Sequence, residues 1–162
     1  MHGKVRDVGL LCGVLGLLVS SGAEAKIPPK LMGKVFFTTS EVKDQSTEAL
    51  VRLFTGAKTK LEVPRNKKGR WPCTMVAFFR KPAVRGPITL LYFDRADKEA
   101  IKAREATDVQ SVEGKETQVF IHDLSISPDR GFNKGRTYLI QVGQIIGKQT
   151  KIYASGDVTL QP

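Results

Sequence analysis

The chain has 162 residues and a formal net charge of +10, from 26 lysines and arginines against 16 aspartates and glutamates. With 41% hydrophobic residues it can bury a core, which excludes a disordered polyelectrolyte. Two histidines and two cysteines in the whole sequence exclude a His- or Cys-rich metal centre and a scaffold held by several disulfides.

At the amino terminus Lys4 and Arg6 precede the apolar run Val8 to Val19, and the small residues of "SSGAEA" follow. A positive end, an apolar segment of about a dozen residues and an A-x-A site at Ala23 and Ala25 are the layout of a cleaved signal peptide. The run is shorter than the ~20 residues that cross a bilayer. Cys12 follows two leucines instead of small residues, which does not suit a lipid anchor. Residues 1–25 are therefore expected to be removed, giving a secreted or periplasmic chain of 137 residues, the size of one domain. His2 and Cys12 leave with that segment. His122 and Cys73 remain, and a single cysteine cannot form an intramolecular disulfide.

Residues 26–32 carry Pro28 and Pro29 and read as an extended lead-in to a domain at 33–162. The β-branched and aromatic run at 33–42 reads as a strand. At 44–56 the period changes: Leu50, Leu53 and Phe54 share a helical face, Asp44 or Ser46 can cap the start and Gly56 can close the end. Residues 59–63 alternate as a brief strand. Two strongly apolar runs, 74–80 and 87–94, suit strands buried on both faces and are expected to lie side by side. Residues 95–106 have helical composition with Ile101 as their one large apolar side chain, so they predict a surface helical turn or crossover. Residues 117–126 return to strand character. At the carboxyl end Tyr138, Ile140 and Val142 share a strand face, and Ile152, Ala154, Gly156, Val158 and Leu160 alternate with polar residues. A turn at 147–149 joins the two as a hairpin.

About seven short strands, one helix and no alternation of strand and helix predict an all-β fold, an antiparallel sandwich, with an oligonucleotide-binding-type barrel as the alternative. The stretch "FNKGRTYLIQV", residues 132–142, resembles the approach to the penultimate strand of immunoglobulin-like and fibronectin type III-like domains. The resemblance extends over residues 132–160 and implies one role: Tyr138 as a tyrosine corner whose hydroxyl bonds nearby backbone. The chain departs from that pattern in having no cysteine pair against which Trp71 could stack, and in its added helix.

Lys58, Lys60, Arg65, Lys67, Lys68, Arg70, Arg80, Lys81 and Arg85 face one acid, Glu62, between 58 and 85, whereas beyond residue 86 ten basic residues balance ten acidic ones. The positive character is thus concentrated in one segment. Lys58, Lys60, Arg65, Lys67, Lys68 and Arg70 form the candidate anion contact, with Arg80, Lys81 and Arg85 about 20 Å away at the other end of a strand. Trp71 and Cys73 are expected to be structural, as the entry to a core strand. The catalytic templates fail: there is no G-x-S-x-G elbow, no phosphate loop and no H-E-x-x-H. A Cys73–His122 pair would be the one enzymatic reading. Asp94, Asp97 and Glu99 lack the alternating-acid pattern of a calcium loop, and no cofactor is implied. The sequence therefore predicts an exported, non-enzymatic binding module. Its expected partners are an acidic polysaccharide, lipopolysaccharide or a membrane surface at the basic loop, or else an envelope protein at a sheet edge with the loop only a solvated turn. Nucleic acid fits less well, because the basic segment lacks a series of interleaved aromatics.

Overall fold

A computed structural model describes residues 26–58, 61–97, 100–108 and 117–162. Eight strands form one mixed sheet: β1 (Lys34–Thr38), β2 (Leu61–Val63), β3 (Trp71–Ala83), β4 (Pro87–Asp94), β5 (Ala100–Asp108), β6 (Thr117–Ile126), β7 (Thr137–Ile146) and β8 (Gln149–Leu160). One α-helix, α1 (Thr47–Phe54), lies between β1 and β2. The strand order is β5-β4-β7-β8-β1-β3-β6, with β2 added alongside β8. The fold is all-β, and the sheet curls into a half-barrel. Among the described residues no helix is long and apolar enough to cross a membrane.

The curl follows from how β1 meets β8. Most neighbours are antiparallel, but β1 touches β8 in parallel at the single pair Lys34 and Ser155, and β2 runs parallel to β8 from Leu61 opposite Val158 to Val63 opposite Leu160. The arm β5-β4-β7-β8 thereby folds towards the arm β1-β3-β6. One core cluster takes residues from both arms, among them Met75, Ala77 and Phe79 of β3, Leu90 and Tyr92 of β4, and Tyr138, Ile140 and Val142 of β7.

A second cluster lies on the outer face of β1 and β3, where Phe36, Val76 and Phe78 meet Leu50 and Phe54 of α1. Ring centroids of Phe36 and Phe54 are 5.1 Å apart, and those of Phe36 and Phe78 are 5.9 Å apart. The near-continuous apolar run in β3 thus has its cause: alternate residues face the main core and the helix. Ser46 caps α1 by accepting the Ala49 amide. Leu53 is 49% exposed, so the buried stripe consists of Leu50 and Phe54, narrower than the three-residue face the sequence predicts.

Four other expectations are corrected. The two apolar runs are not neighbours, because β3 pairs β1 and β6 while β4 pairs β5 and β7; burial on both faces does not specify which strand lies alongside. Residues 100–108 form strand β5 where a surface helical turn or crossover was expected over 95–106. A segment with one large apolar residue has no helical face to bury, whereas an edge strand needs only the backbone of β4 and tolerates polar residues. Residues 26–32, expected to be extended, turn on the Leu31 to Pro28 and Met32 to Pro29 backbone bonds and bury Ile27 and Leu31 in the second cluster. Between Val142 and Gly143 of β7 the register to β8 shifts, so Tyr153 is an extra residue of β8 that turns into the core while Ile152 is left exposed. The predicted alternation holds only from Ala154 onward.

Tyr138 was expected to bond nearby backbone through its hydroxyl. It is buried at the start of β7, and its hydroxyl accepts the Asn133 amide at 2.7 Å. Residues 1–25, with the expected signal peptide, lie outside the described residues.

Candidate functional site

The basic loop is closed by its one asparagine. Asn66 Oδ1 accepts the amides of Lys68 and Arg70, both at 3.0 Å, while the Asn66 backbone bonds Arg70 and Gly69 at 2.7 and 2.9 Å. A side-chain oxygen that satisfies backbone amides this way replaces a sheet ladder and fixes a tight turn. Gly69 sits at φ +74°, the left-handed region that glycine enters without steric cost. Lys67, Lys68 and Arg70 consequently project from a defined turn, all exposed.

Arg65 is engaged within the loop. Its Nε donates to the Gly69 carbonyl at 3.1 Å, and its guanidinium lies 5.3 Å from the centre of the Trp71 ring. Trp71 itself is 1% exposed, and its Nε1 donates to the Gln161 carbonyl at 2.8 Å. Arg65 and Trp71 thus tie the loop to the carboxyl end of β8. Trp71 presents no open face on which a base could stack.

Of the predicted anion contacts, the fold brings Arg65, Lys67, Lys68 and Arg70 together. Lys58 is exposed on the far side of β2 from this turn, and Lys60 lies outside the described residues. Arg80, Lys81 and Arg85 stand at the opposite end of the domain. Because β3 runs from Trp71 to Ala83, Arg70 and Arg80 are separated by about 33 Å, more than the ~20 Å expected from a shorter strand. There are therefore two basic ends.

Several charges elsewhere are paired. Arg95 holds Asp157 with two bonds of 2.8 and 3.1 Å, and Arg136 lies 3.6 Å from Asp94 and 3.5 Å from Asp97. The carboxylates considered for calcium thus face a guanidinium; Glu99 lies outside the described residues. Among the described residues Lys67, Lys68 and Arg70 have no carboxylate within ion-pair distance.

No family model, curated protein or solved structure matches this chain. The site must be read from its own chemistry.

Beside the loop a cleft of about 330 Å³ runs past Pro64, Asn66, Pro72 and Asp123, with Cys73 at its floor. Asp123 is already engaged: Lys43 lies 2.6 Å away and the Thr74 hydroxyl donates at 2.8 Å, and these contacts hold its carboxyl below the usual range. Cys73 is buried, and burial, with Asp123 adding to it, pushes its thiol up to about 12. The β3–β6 register sets Cys73 opposite Leu124 and Met75 opposite His122, so Cys73 and His122 share a sheet face but are offset by two residues along it. His122 stacks on Phe120, with centroids 5.9 Å apart. A nucleophilic cysteine needs its pKa lowered, and here it is raised.

Cys73 is therefore expected to resist thiol reagents in the folded chain and to react once denatured, as mapped on the Cys73 peptide. Labelling within seconds in native buffer would contradict this placement. The thiol's preference for its neutral form supports the fold fully below the ordinary value of 9.0, and that support is lost as the pH rises towards about 12.

Sequence reasoning missed Asn66 as the residue that shapes the site. Its signal was present, an asparagine three positions before a glycine between two strands. It also missed the aliphatic character of the second basic end.

Proposed function

We propose that this chain is an exported, non-enzymatic binding module of immunoglobulin-like or fibronectin type III-like architecture, whose 65–70 turn grips an anionic polysaccharide of the cell envelope or its surroundings. The saccharide of a lipopolysaccharide belongs to the same class, since its charge is carried on phosphate and carboxylate. The observation that carries the reading is the trio Lys67, Lys68 and Arg70, held out by Asn66 with no carboxylate among the described residues within ion-pair distance. Preorganised, uncompensated cations attract polyanions and lose little entropy on contact.

The architectural part of the reading draws on strand order. An arm β5-β4-β7-β8 opposed to an arm β1-β3-β6, a short parallel strand on β8 and a tyrosine hydroxyl bonded to backbone before the penultimate strand fit that family's arrangement. The helix over the outer face of β1 and β3 is an addition to it.

Retention on a heparin column should fall steeply with salt. The double substitution Lys67→Glu and Lys68→Glu should weaken it about tenfold or more at low salt while leaving the melting temperature unchanged, given about 1 kcal/mol per basic residue at an anionic surface. Retention that ignores salt, or that survives the double substitution, would sink the reading and favour a protein partner at a sheet edge. β5 and β6 each pair on one side only, which makes them the edges such a partner could extend.

A further inference from the structure

The second basic end has a different chemistry from the first. Gly143 of β7 lies opposite Thr89 of β4, so the β7–β8 hairpin tip stands next to the turn that joins β3 to β4. A buried bridge holds the two together: Gln144 Nε2 donates to the Val84 carbonyl at 2.9 Å, and the Tyr153 hydroxyl donates to Gln144 Oε1 at 2.8 Å. Gln144 is 2% exposed and Tyr153 3%, so the bridge lies within the fold.

Four aliphatic side chains emerge from it. Val84 is 44% exposed, Ile145 52%, Ile146 48% and Ile152 41%. Of the five large hydrophobic residues that the fold leaves exposed among the described residues, these are all but Leu53. Ile145 faces Thr150 and Ile152 faces Gly143 across the hairpin, which puts both isoleucines on its outer side. Ile146 continues the inner row beyond the end of the core, so both faces of the tip are apolar. Gly147, at φ +62°, allows the tight turn that carries them.

Around them are Lys81, Arg85, Lys148 and Lys151, all exposed. The two segments 81–88 and 143–153 contain no acidic residue, and the acid that the sheet register sets beside them is Asp108 of β5, opposite Pro87. An aliphatic tip flanked by cations that have no ion pair among the described residues matches the interface of a bilayer, where apolar side chains enter the acyl boundary and cations meet phosphate. A second copy of this chain would bring the same positive charges, Lys81, Arg85, Lys148 and Lys151, against themselves.

We propose that this end of the domain docks on the surface of an anionic lipid bilayer, with the β7–β8 tip inserted and Lys81, Arg85, Lys148 and Lys151 on the headgroups. The docking is independent of the 65–70 turn, which carries no exposed aliphatic residue and points the other way.

The test is co-sedimentation of the purified chain with vesicles of phosphatidylcholine alone or mixed with phosphatidylglycerol. Binding should require phosphatidylglycerol and weaken with salt. Both Ile145→Ser with Ile146→Ser and Arg85→Glu with Lys148→Glu should weaken it about tenfold or more without lowering the melting temperature, whereas Lys67→Glu with Lys68→Glu should leave it unchanged. Comparing the variants in one background cancels any contribution of residues 1–25. Equal binding to neutral vesicles, no binding, or full binding by the serine variant would overturn the proposal. So would a concentration-dependent dimer in sedimentation velocity that the serine substitutions abolish, since that would assign the tip to self-association, and so would loss of vesicle binding on reversing Lys67 and Lys68.

Discussion

Gly156→Ala should destabilise the domain by about 3 kcal/mol or more and lower its melting temperature by about 10 °C. Gly156 pairs with Ile140 of β7, and on its other side the backbone of β1 passes so closely that a Cβ would overlap the Val35 carbonyl oxygen and touch Val35 Cβ. The Ser155 amide donates to the Gly33 carbonyl at 3.1 Å in the same crossing. These contacts are where β8 hands over to β1, and they bring the two arms of the sheet face to face over the main core. Neither neighbour is a flexible side chain that could swing aside, so a methyl group must push two backbones apart. Ser155→Ala, one residue away, is the control and should change the melting temperature by no more than about 2 °C. Thermal unfolding of the two variants decides the point: a Gly156→Ala protein as stable as the control would mean that β1 and β8 do not meet in this way.

The importance of Gly156 could not be read from the chain. A glycine inside an alternating strand marks a bulge or a close approach, and only the fold says which. The same limit explains the other misses. The alternation in β8 was legible from Ala154 to Leu160, because those residues pair without interruption with β7. It failed at Ile152 and Tyr153, because the register shift depends on the partner strand and the pattern of one strand does not contain it. The burial of β3 on both faces was legible in its composition, yet its neighbours were not, since an apolar strand packs equally well beside β4 or β6. β5 was misread because helix-forming residues were weighed without the β4 backbone that overrides them.

At the candidate site, charge and position along the chain were legible and geometry was not. The segment 65–70 stood out as the place where basic residues lack acidic neighbours, and the fold keeps it so. That Arg65 would be folded back over Trp71 was invisible, because it depends on the carboxyl end of β8 reaching Trp71 from the far end of the sequence. The hairpin tip was visible only as a turn. Two adjacent isoleucines before it break the rule that one face of an exposed hairpin is polar, and that break is the signal for an apolar tip.

Trp71→Ala should cost about 3 to 5 kcal/mol, the range for removing a large aromatic side chain from a core. Trp71 is 1% exposed and belongs to the core cluster that spans both arms, opposite Ile126 of β6 at the entrance to β3. Trp71→Phe keeps most of the buried surface but leaves the Gln161 carbonyl without its indole donor and reduces the aromatic face beneath Arg65. It should cost about 1 to 3 kcal/mol, nearer the hydrogen-bond and cation–π range. Chemical denaturation measures both variants. As the sequence holds one tryptophan, its emission in the parent chain should shift from a buried to a solvated maximum in the same transition. The pair of variants also separates anchor from contact. If Trp71 only seats the turn, folded Trp71→Phe protein should elute from heparin at nearly the parent's salt concentration, because Lys67, Lys68 and Arg70 still project from the bonds made by Asn66. A loss of retention as large as that from reversing Lys67 and Lys68, in a protein that remains folded, would instead make the indole part of the binding surface and contradict its burial.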